Sequence, residues 1–165
     1  MAQNISSYLI IRGQKQGLLR GGNIQRNKEG WIDILAYSHE IQSEIDSSSG
    51  FNKGKRQHQP LTVWKEIDRS TVNLFRAFIE NETLSSVVLK NYSPNRFGAS
   101  GGSGPETNVY SITLINARIV GIKSEMLNTK ANSVAGYERT EEIDFVYEKI
   151  EFHWHLENET IEDAW

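Results

Sequence analysis

Hydrophobic residues occur along the chain in short runs that are typical of β-strands. Residues 5–12 are rich in β-branched and aromatic side chains and are apolar at both parities from Tyr8 to Ile11. This pattern predicts a strand that is covered on both faces. Further strand patterns lie at 30–37, 61–67, 83–92 and 109–126. The run at 109–126 is long enough for two strands, or for one strand bent at Asn116 and Ala117.

One segment has helical periodicity instead. Ser70 can serve as the N-cap residue, and the polar pair Asn81-Glu82 ends the pattern. The spacing predicts one helix at about residues 70–81, with an apolar stripe that covers a sheet. Four residues at i, i+1, i+4 and i+5 form this stripe: Leu74, Phe75, Phe78 and Ile79.

The last strand pattern changes phase within its length. Apolar residues alternate from Ile143 to Tyr147, and the alternation resumes one residue out of step from Ile150 to Leu156. A one-residue slip turns the buried side chains to the opposite face unless an extra residue is absorbed. We therefore predict a β-bulge or a sharp bend near residues 148–150, with the apolar residues up to Leu156 in the core.

Two segments between the strands are predicted as loops. Residues at about 40–59 are rich in serine, glycine and asparagine, and they exceed the usual length of a connection. Residues at about 93–108 are rich in glycine and lie between two strand patterns. About seven short strands with one helix and no strand–helix alternation predict a mainly antiparallel β-barrel or sandwich. The length of 165 residues fits a single domain over residues 1–165.

Composition excludes several classes of function. The net charge of −3 lacks the basic excess of a nucleic-acid binder. There is no cysteine, which excludes disulfides, thiolate metal ligands and cysteine nucleophiles. The N-terminal residues have no basic stretch before their short apolar run, and no segment approaches the ~18 apolar residues that span a bilayer. We therefore expect no nucleic-acid binding, no membrane insertion, and synthesis in the cytoplasm without a signal peptide.

Two histidines near the end of the chain are the first candidate for a chemical site. His153 and His155 are two residues apart, so they share one face of the last strand. A metal site needs a third ligand, and nothing in the sequence places His39 or His58 close to this pair. We therefore predict a solvated or interfacial strand face and no metal site.

The remaining candidates for catalysis or phosphate binding are weaker. Lys53, Lys55 and Arg56 could hold a phosphate, but the acidic residues just upstream favour a solubilising or protein-contact loop. The glycine cluster at 98–104 lacks the Lys-Ser/Thr ending of a P-loop. No serine lies in a nucleophile-elbow context. The paired carboxylates are adjacent in sequence, so on a strand they point to opposite faces and make poor acid/base pairs. The sequence therefore predicts neither an enzyme nor a cofactor site.

Five short motifs follow one another in an order that is typical of one family. They are Gly-Trp-Ile-Asp-Ile at 30–34, the basic-His-Pro run at 55–60, D-x-S-T-x-x-L at 68–74, EEIDFVYEKIEFHWH at 141–155, and the ending Asp163-Ala-Trp165. In this order and spacing the chain resembles the haemolysin-coregulated protein (Hcp) family. The resemblance covers essentially the whole chain and includes no catalytic signature.

This resemblance implies the tail-tube subunit of the bacterial type VI secretion system. Members of the family fold as an antiparallel β-barrel of two sheets with one flanking α-helix. They form hexameric rings that stack into a tube inside a contractile sheath. A spike protein of the valine-glycine repeat family caps the tube, the lumen can carry secreted effectors, and the tube itself is exported.

The resemblance also implies that the long loop projects and contacts neighbouring subunits. We expect these contacts from seven residues: Ile41, Glu44, Ser47, Gly50, Phe51, Lys53 and Lys55. Two alternatives stay open. One is the tail-tube protein of a contractile phage, which neighbouring genes would distinguish. The other is a monomeric β-barrel whose interior binds a small ligand.

Overall fold

The computed structural model describes residues 6–93, 106–128, 130 and 139–165, and these residues are mainly β-structure. The described part has one α-helix, α1 (Thr71–Ile79). The prediction of a mainly β fold with a single helix is confirmed. The strands are β1 (Ser6–Gly13), β2 (Gly17–Leu19), β3 (Ile32–Ile34), β4 (Ala36–Ser38), β5 (Ile41–Ile45), β6 (Asn52–His58), β7 (Leu61–Glu66), β8 (Leu84–Ser93), β9 (Thr107–Met126), β10 (Arg139–Val146), β11 (Lys149–Trp154) and β12 (Glu159–Ala164).

Antiparallel pairing connects most of these strands into one path. The order along the path is β2-β1-β8-β9-β10-β7-β4. In addition, β11 pairs with β9 and β12, and β3 pairs with β1. Within the described residues β5 and β6 pair only with each other. The path forms two sheets that share β9, and the β5–β6 hairpin stands apart from both.

Strand β9 belongs to both sheets because its two halves have different neighbours. The first half pairs with β8 and β11, and the second half pairs with β10. The strand runs for 20 residues, but Asn116 near its centre has a φ of 50°. Asparagine tolerates this left-handed conformation better than most residues do. The structure therefore has one strand bent at Asn116, which is one of the two predicted alternatives.

The predicted break in the last strand is also confirmed, and it lies beside the bend of β9. Strand β10 ends at Val146 and β11 begins at Lys149. The Glu148 backbone N–H donates to the Ile115 carbonyl at 3.1 Å, and the Asn116 side chain donates to the Glu148 carboxylate at 2.9 Å. The two neighbouring strands thus bend together, and we call this pair of bends the corner.

The corner keeps apolar side chains on the core side in both sheets. In β9 the buried positions change from even numbers, such as Leu114, to odd numbers, such as Ile119. Beside β9, where β10 gives way to β11, the buried positions change from odd to even numbers between Tyr147 and Ile150, both of which are buried. Leu156 lies beyond β11, where the chain turns towards β12, and it is 41% exposed. Its predicted place in the core is therefore wrong.

The two sheets meet again at β3 and β4. Strand β3 pairs with β1, whereas β4 pairs with β7. Between them, the Leu35 backbone N–H donates to the Trp64 carbonyl at 2.7 Å. The chain itself therefore links the sheets on this side, and together they enclose one core in a barrel-like arrangement. Its fully buried side chains include Leu9, Ile11, Ile32, Leu61, Val63, Leu74, Leu84, Leu89, Leu114, Ile143, Phe145 and Ile150.

The helix packs against β9 with a different face from the predicted one. Leu74 and Ala77 are its buried residues, whereas Phe78 and Ile79 are 38% and 78% exposed. The small side chain of Ala77 lets the helix approach the sheet closely, and a pattern of large apolar residues does not register this. The predicted stripe is therefore wrong in its second half. Among the described residues no helix is long and apolar enough to cross a membrane.

A buried ion pair fixes the start of the helix. Lys65 Nζ donates to Glu141 Oε1 and lies 3.0 Å from Asp68 Oδ1, and the side chains of Lys65 and Glu141 have no exposed surface. Thr71 donates its hydroxyl to the same Glu141 oxygen at 2.9 Å. Ser70 holds the predicted N-cap position, but its hydroxyl donates to Asp68 and does not cap the helix. These contacts tie the first helical turn to β7 and β10.

The two predicted loops compare differently with the structure. The segment predicted as a loop at about 40–59 is mostly strand, because it contains β5 and β6. Apart from buried His58 at its base, most side chains of this hairpin are exposed, so its sequence lacks the apolar–polar alternation of a half-buried strand. The loop predicted at about 93–108 falls largely outside the described residues, since 94–105 are not among them.

The variant Lys65→Met should destabilise the fold because it leaves the buried Glu141 carboxylate without its counter-ion. We expect the free energy of unfolding, measured by urea denaturation, to fall by about 3 kcal/mol or more. Lys149→Met is the matched control, since Lys149 pairs with Glu162 on the surface. That loss should be at most about 1 kcal/mol. Equal losses in the two variants would contradict a special role of the buried pair.

Candidate functional site

The β5–β6 hairpin is the main candidate for a contact surface. Ile45 and Phe51, close to its tip, are 68% and 77% exposed. Fully burying a large apolar side chain contributes roughly 1.5–3 kcal/mol, so a partner that covered both residues would gain substantial stability. The hairpin therefore presents an apolar tip to whatever binds it.

Local hydrogen bonds fix the turn at the tip. Asp46 accepts bonds from the hydroxyl and the backbone N–H of Ser48, at 2.6 and 2.8 Å, and both bonds lower the pKa of its carboxyl. The Asp46 N–H donates to the Phe51 carbonyl at 2.8 Å. Gly50 has a φ of 73°, a conformation that glycine adopts at little cost. The turn thus holds Phe51 in a defined, outward position.

The structure places all seven predicted contact residues on this hairpin. Ile41 is half-buried at the base of the hairpin. The role of all seven residues in subunit contacts stays a prediction. Sequence reasoning missed Ile45, whose only signal is a single isoleucine between two acidic residues. The other six residues are exposed: Glu44, Ser47, Gly50, Phe51, Lys53 and Lys55.

Buried His58 anchors the base of the hairpin. Its Nδ1 lies 2.7 Å from the Tyr147 hydroxyl, and its Nε2 lies 3.0 Å from Asp163 Oδ2. Arg56 donates to both oxygens of Asp163, with Nη2 at 2.7 Å from Oδ1. We call Arg56, His58, Tyr147 and Asp163 the hairpin anchor. It joins β6 to the corner and to the edge strand β12.

The charges in the hairpin anchor stabilise the ionised form of Asp163. Hydrogen bonds from Arg56, supported by one from His58, lower the pKa of Asp163 to about 2, although partial burial opposes this shift. The Asp163 side chain is 19% exposed. The anchor therefore contains a mostly covered carboxylate that stays charged at neutral pH.

Tyr147 stands at the centre of the hairpin anchor. Burial raises the pKa of its hydroxyl well above the usual range, and Asp163 adds to this effect. His39 Nε2 lies 2.8 Å from the same hydroxyl, and the Trp165 ring packs edge-on at 5.0 Å. The Tyr147 hydroxyl thus connects His39 with His58 of the hairpin anchor.

His153 lies in β11 and His155 follows directly after the end of that strand, so only His153 has its predicted place in a strand; the two rings stack with centroids 4.0 Å apart. His155 Nε2 lies 2.8 Å from the Ser111 hydroxyl, and His153 Nε2 lies 3.1 Å from the Asn158 amide oxygen. Burial, together with the neighbouring His153, lowers the pKa of His155. In the described part of the chain no three His, Cys, Asp or Glu side chains are grouped to hold a metal ion. The two histidines are thus hydrogen-bonded to neighbouring polar side chains, His153 to Asn158 and His155 to Ser111.

The basic residues at 53–58 fall into two groups. Arg56 and His58 are bound to Asp163 in the hairpin anchor, whereas Lys53 and Lys55 are exposed. The glycine cluster at 98–104 lies outside the described residues.

Known proteins resemble this chain over nearly its whole length. A family model described as "Type VI secretion system effector, Hcp" matches residues 8–154. The chain belongs to the Hcp family. The resemblance of its short motifs to that family is thereby confirmed.

Individual relatives of this Hcp-family chain support the same fold. The "Major exported protein" of Pseudomonas aeruginosa is 27% identical, over 96% of this chain and 94% of the relative. A mutant form of Hcp1 from Escherichia coli EAEC 042 has a TM-score of 0.82 at 26% identity, covering 97% of this chain and 98% of that one. The secreted protein Hcp3 from Pseudomonas aeruginosa, at 24% identity, has a TM-score of 0.75 and coverage of 96% and 99%. The last likeness speaks for the fold alone.

The variant Asp163→Asn should weaken the hairpin anchor in a pH-dependent way. Because the pKa in the folded state is lowered, the contribution of the carboxylate to stability is complete above the usual value of 3.8 and is lost as the pH falls towards about 2. We expect wild type to unfold at a higher temperature than the variant at neutral pH, and the difference to shrink between about pH 4 and pH 2.

Arg56→Met is the companion variant, because Arg56 is the main cause of the shift. Its deficit relative to wild type should shrink over the same pH range. A deficit that is constant down to pH 2 in both variants would contradict this assignment of the shift.

Proposed function

We propose that this Hcp-family chain is a structural subunit of the type VI secretion tail tube. In this proposal, residues 1–165 form a single tube domain, six copies form a ring, and rings stack into a tube. The observation that carries the proposal is a family match over residues 8–154 in a chain whose hairpin presents exposed apolar side chains at its tip. The family match supports the secretion role, and the hairpin supports assembly.

In this proposal the exposed hairpin tip of one copy contacts a different surface of the next copy. Such heterologous contacts close into rings or continue into filaments, and a stacked tube uses both geometries. The hairpin anchor supports this role because it fixes the base from which the tip projects.

The partners and the location follow from the same proposal. The tube would lie inside a contractile sheath, carry a spike protein of the valine-glycine repeat family at its end, and hold secreted effectors in its lumen. The chain would assemble in the cytoplasm and leave with the tube. A relative named "Major exported protein" supports export. The chain would act without a cofactor, and not as an enzyme.

The alternative of a small-ligand barrel has less support. A ligand inside the barrel would need space between the sheets, but the interior is occupied by side chains such as Leu9, Leu114 and Phe145, which have no exposed surface. A phage tail tube would share the fold, and the match to a secretion family favours the tube of the secretion system.

The double variant Phe51→Asp with Lys53→Asp should weaken the stacking of rings while it leaves the fold intact. Charge at the tip would oppose the burial of Phe51, and the loss of Lys53 would remove a basic contact. We expect wild type to scatter light as particles of at least six copies of the 18.8 kDa chain and to show rings and stacks by electron microscopy. The variant should show fewer stacks and an unchanged circular dichroism spectrum.

Ile24→Asp is the matched control, since Ile24 is 91% exposed outside the hairpin. Its assembly should equal that of wild type. Unchanged stacking in the double variant would remove the hairpin from the proposal. A wild-type chain that stays strictly monomeric at high concentration, with no rings, would refute the proposed function itself.

A further inference from the structure

A row of hydrogen bonds crosses the base of the hairpin from His39 to Asp163. His39 Nε2 lies 2.8 Å from the Tyr147 hydroxyl, and His58 Nδ1 lies 2.7 Å from the same hydroxyl. His58 Nε2 lies 3.0 Å from Asp163 Oδ2. We call these four side chains the histidine row. It links β6, β12 and the corner, and it contains two imidazoles, the side chain that most often gains a proton near neutral pH.

The chemistry of Asp163 fixes the hydrogen positions of the row when both imidazoles are neutral. Asp163 stays ionised and can only accept, so His58 carries its proton on Nε2. His58 Nδ1 is then an acceptor, and the Tyr147 hydroxyl donates to it. Because this hydroxyl has one proton, its oxygen accepts from His39, which carries its proton on Nε2. Every donor in the row therefore points towards Asp163.

A second proton on His58 reverses the first half of the row. His58 then donates to the Tyr147 oxygen as well as to Asp163. The Tyr147 hydroxyl has to donate to His39, since the described residues offer it no other acceptor. His39 can accept only if its Nε2 carries no proton, so its own proton lies on Nδ1. One added proton thus changes the tautomer of His39 and the direction of two hydrogen bonds.

His39 gives the row access to solvent. It is half-buried and lines a cavity of about 360 Å³, whereas the His58 side chain is only 1% exposed. Among the described residues His39 Nδ1 has no hydrogen-bond partner, so a proton can bind there while Nε2 stays in the row. Negative charge in the cavity attracts cations. Three carboxylates supply this charge: Glu40, Glu142 and Asp144.

The charges along the row decide where the added proton stays. Burial lowers the pKa of His39, and the neighbouring His58 lowers it further, so a cation is disfavoured at His39. Burial raises the pKa of the Tyr147 hydroxyl well above its usual range, so Tyr147 keeps one proton throughout. His58, in contrast, donates directly to a carboxylate. Of the two imidazoles, only His58 has a counter-ion in the row.

The other groups around His58 divide between opposing and favouring a positive charge. Arg56 opposes it, because both side chains donate to Asp163. The Arg56 side chain is 56% exposed, so water screens its charge more than it screens the covered contact between His58 and Asp163. The Trp165 ring stacks on His58 with centroids 5.8 Å apart, and an aromatic face attracts a cation.

We infer that the histidine row is a one-proton switch, which takes up a proton at His39 and places it on buried His58. The transfer balances in three moves. His39 binds a proton on Nδ1 and gives its Nε2 proton to the Tyr147 oxygen, while Tyr147 gives its hydroxyl proton to His58 Nδ1. In mild acid the contact between β6 and β12 thereby becomes an ion pair. The inference does not depend on the proposed function, because every group in it belongs to a single chain.

Nitrogen-15 NMR of the histidine side chains tests the switch, because the nitrogen shifts distinguish the two neutral tautomers from the cation. The chain has four histidines, and the double variant His153→Gln with His155→Gln leaves only the two in the row. Solid-state spectra of wild type contain the same two signals and suit single chains and assemblies alike. From about pH 8 to about pH 5 we expect His58 to become the cation. At the same midpoint His39 should change from the Nε2–H to the Nδ1–H tautomer and stay neutral.

Tyr147→Phe breaks the row while it keeps the aromatic ring. In this variant His39 should no longer change its tautomer at the midpoint of His58. Tyr110→Phe is the matched control, since Tyr110 is a half-buried tyrosine outside the row, and it should keep the coupled change. The inference is overturned if His39 becomes the cation while His58 stays neutral, or if His39 keeps its Nε2 proton throughout. Separate midpoints in wild type, or a coupled change that survives in Tyr147→Phe, overturn it as well.

Discussion

The corner between β9 and the β10–β11 break is the constraint on which the rest of the structure depends. One strand serves two sheets, and it can do so only if its apolar side chains face the core in both. A left-handed residue, Asn116, shifts the alternation in β9, and the break around Tyr147 and Glu148 shifts it in the neighbouring strand. Because the two shifts lie side by side and are hydrogen-bonded to each other, the sheets turn together around one core.

The same corner positions the surface that we assign to assembly. Tyr147 lies in the break, and its hydroxyl contacts both His39 and His58. His58 ends β6, so the hairpin starts from a point that the barrel itself defines. Asp163 adds β12 to this contact. The barrel, the hairpin and β12 are therefore coupled through a few polar side chains.

The sequence predicted those parts of the fold whose side chains alternate between core and solvent. Strand β10 is an example, since Ile143 and Phe145 are buried and Asp144 between them is not. The hairpin strands were not predicted because most of their side chains are exposed, so no alternation of apolar and polar residues marks them. The helix was predicted, but its rotation was not, because small Ala77 rather than Phe78 faces the sheet.

The candidate site was predictable in part. The seven contact residues were assigned to a projecting loop through resemblance to the family; the structure places them on the β5–β6 hairpin, and their contact role stays a prediction. The hairpin anchor was not foreseen, because His58 lies 89 residues from Tyr147 and 105 from Asp163 along the chain. Pairings at such separations follow from the fold and leave no local pattern.

The corner also sets the order in which the protein can fold as it is synthesised. The strands that complete the corner, β10 and β11, leave the ribosome well after β1 and β8. At about 5–20 residues per second, β1 waits on the order of ten seconds before the sheets can close around the core. During that interval strands such as β8 have exposed edges and uncovered apolar faces. The time for which these faces stay uncovered is therefore set by the order of the strands along the chain.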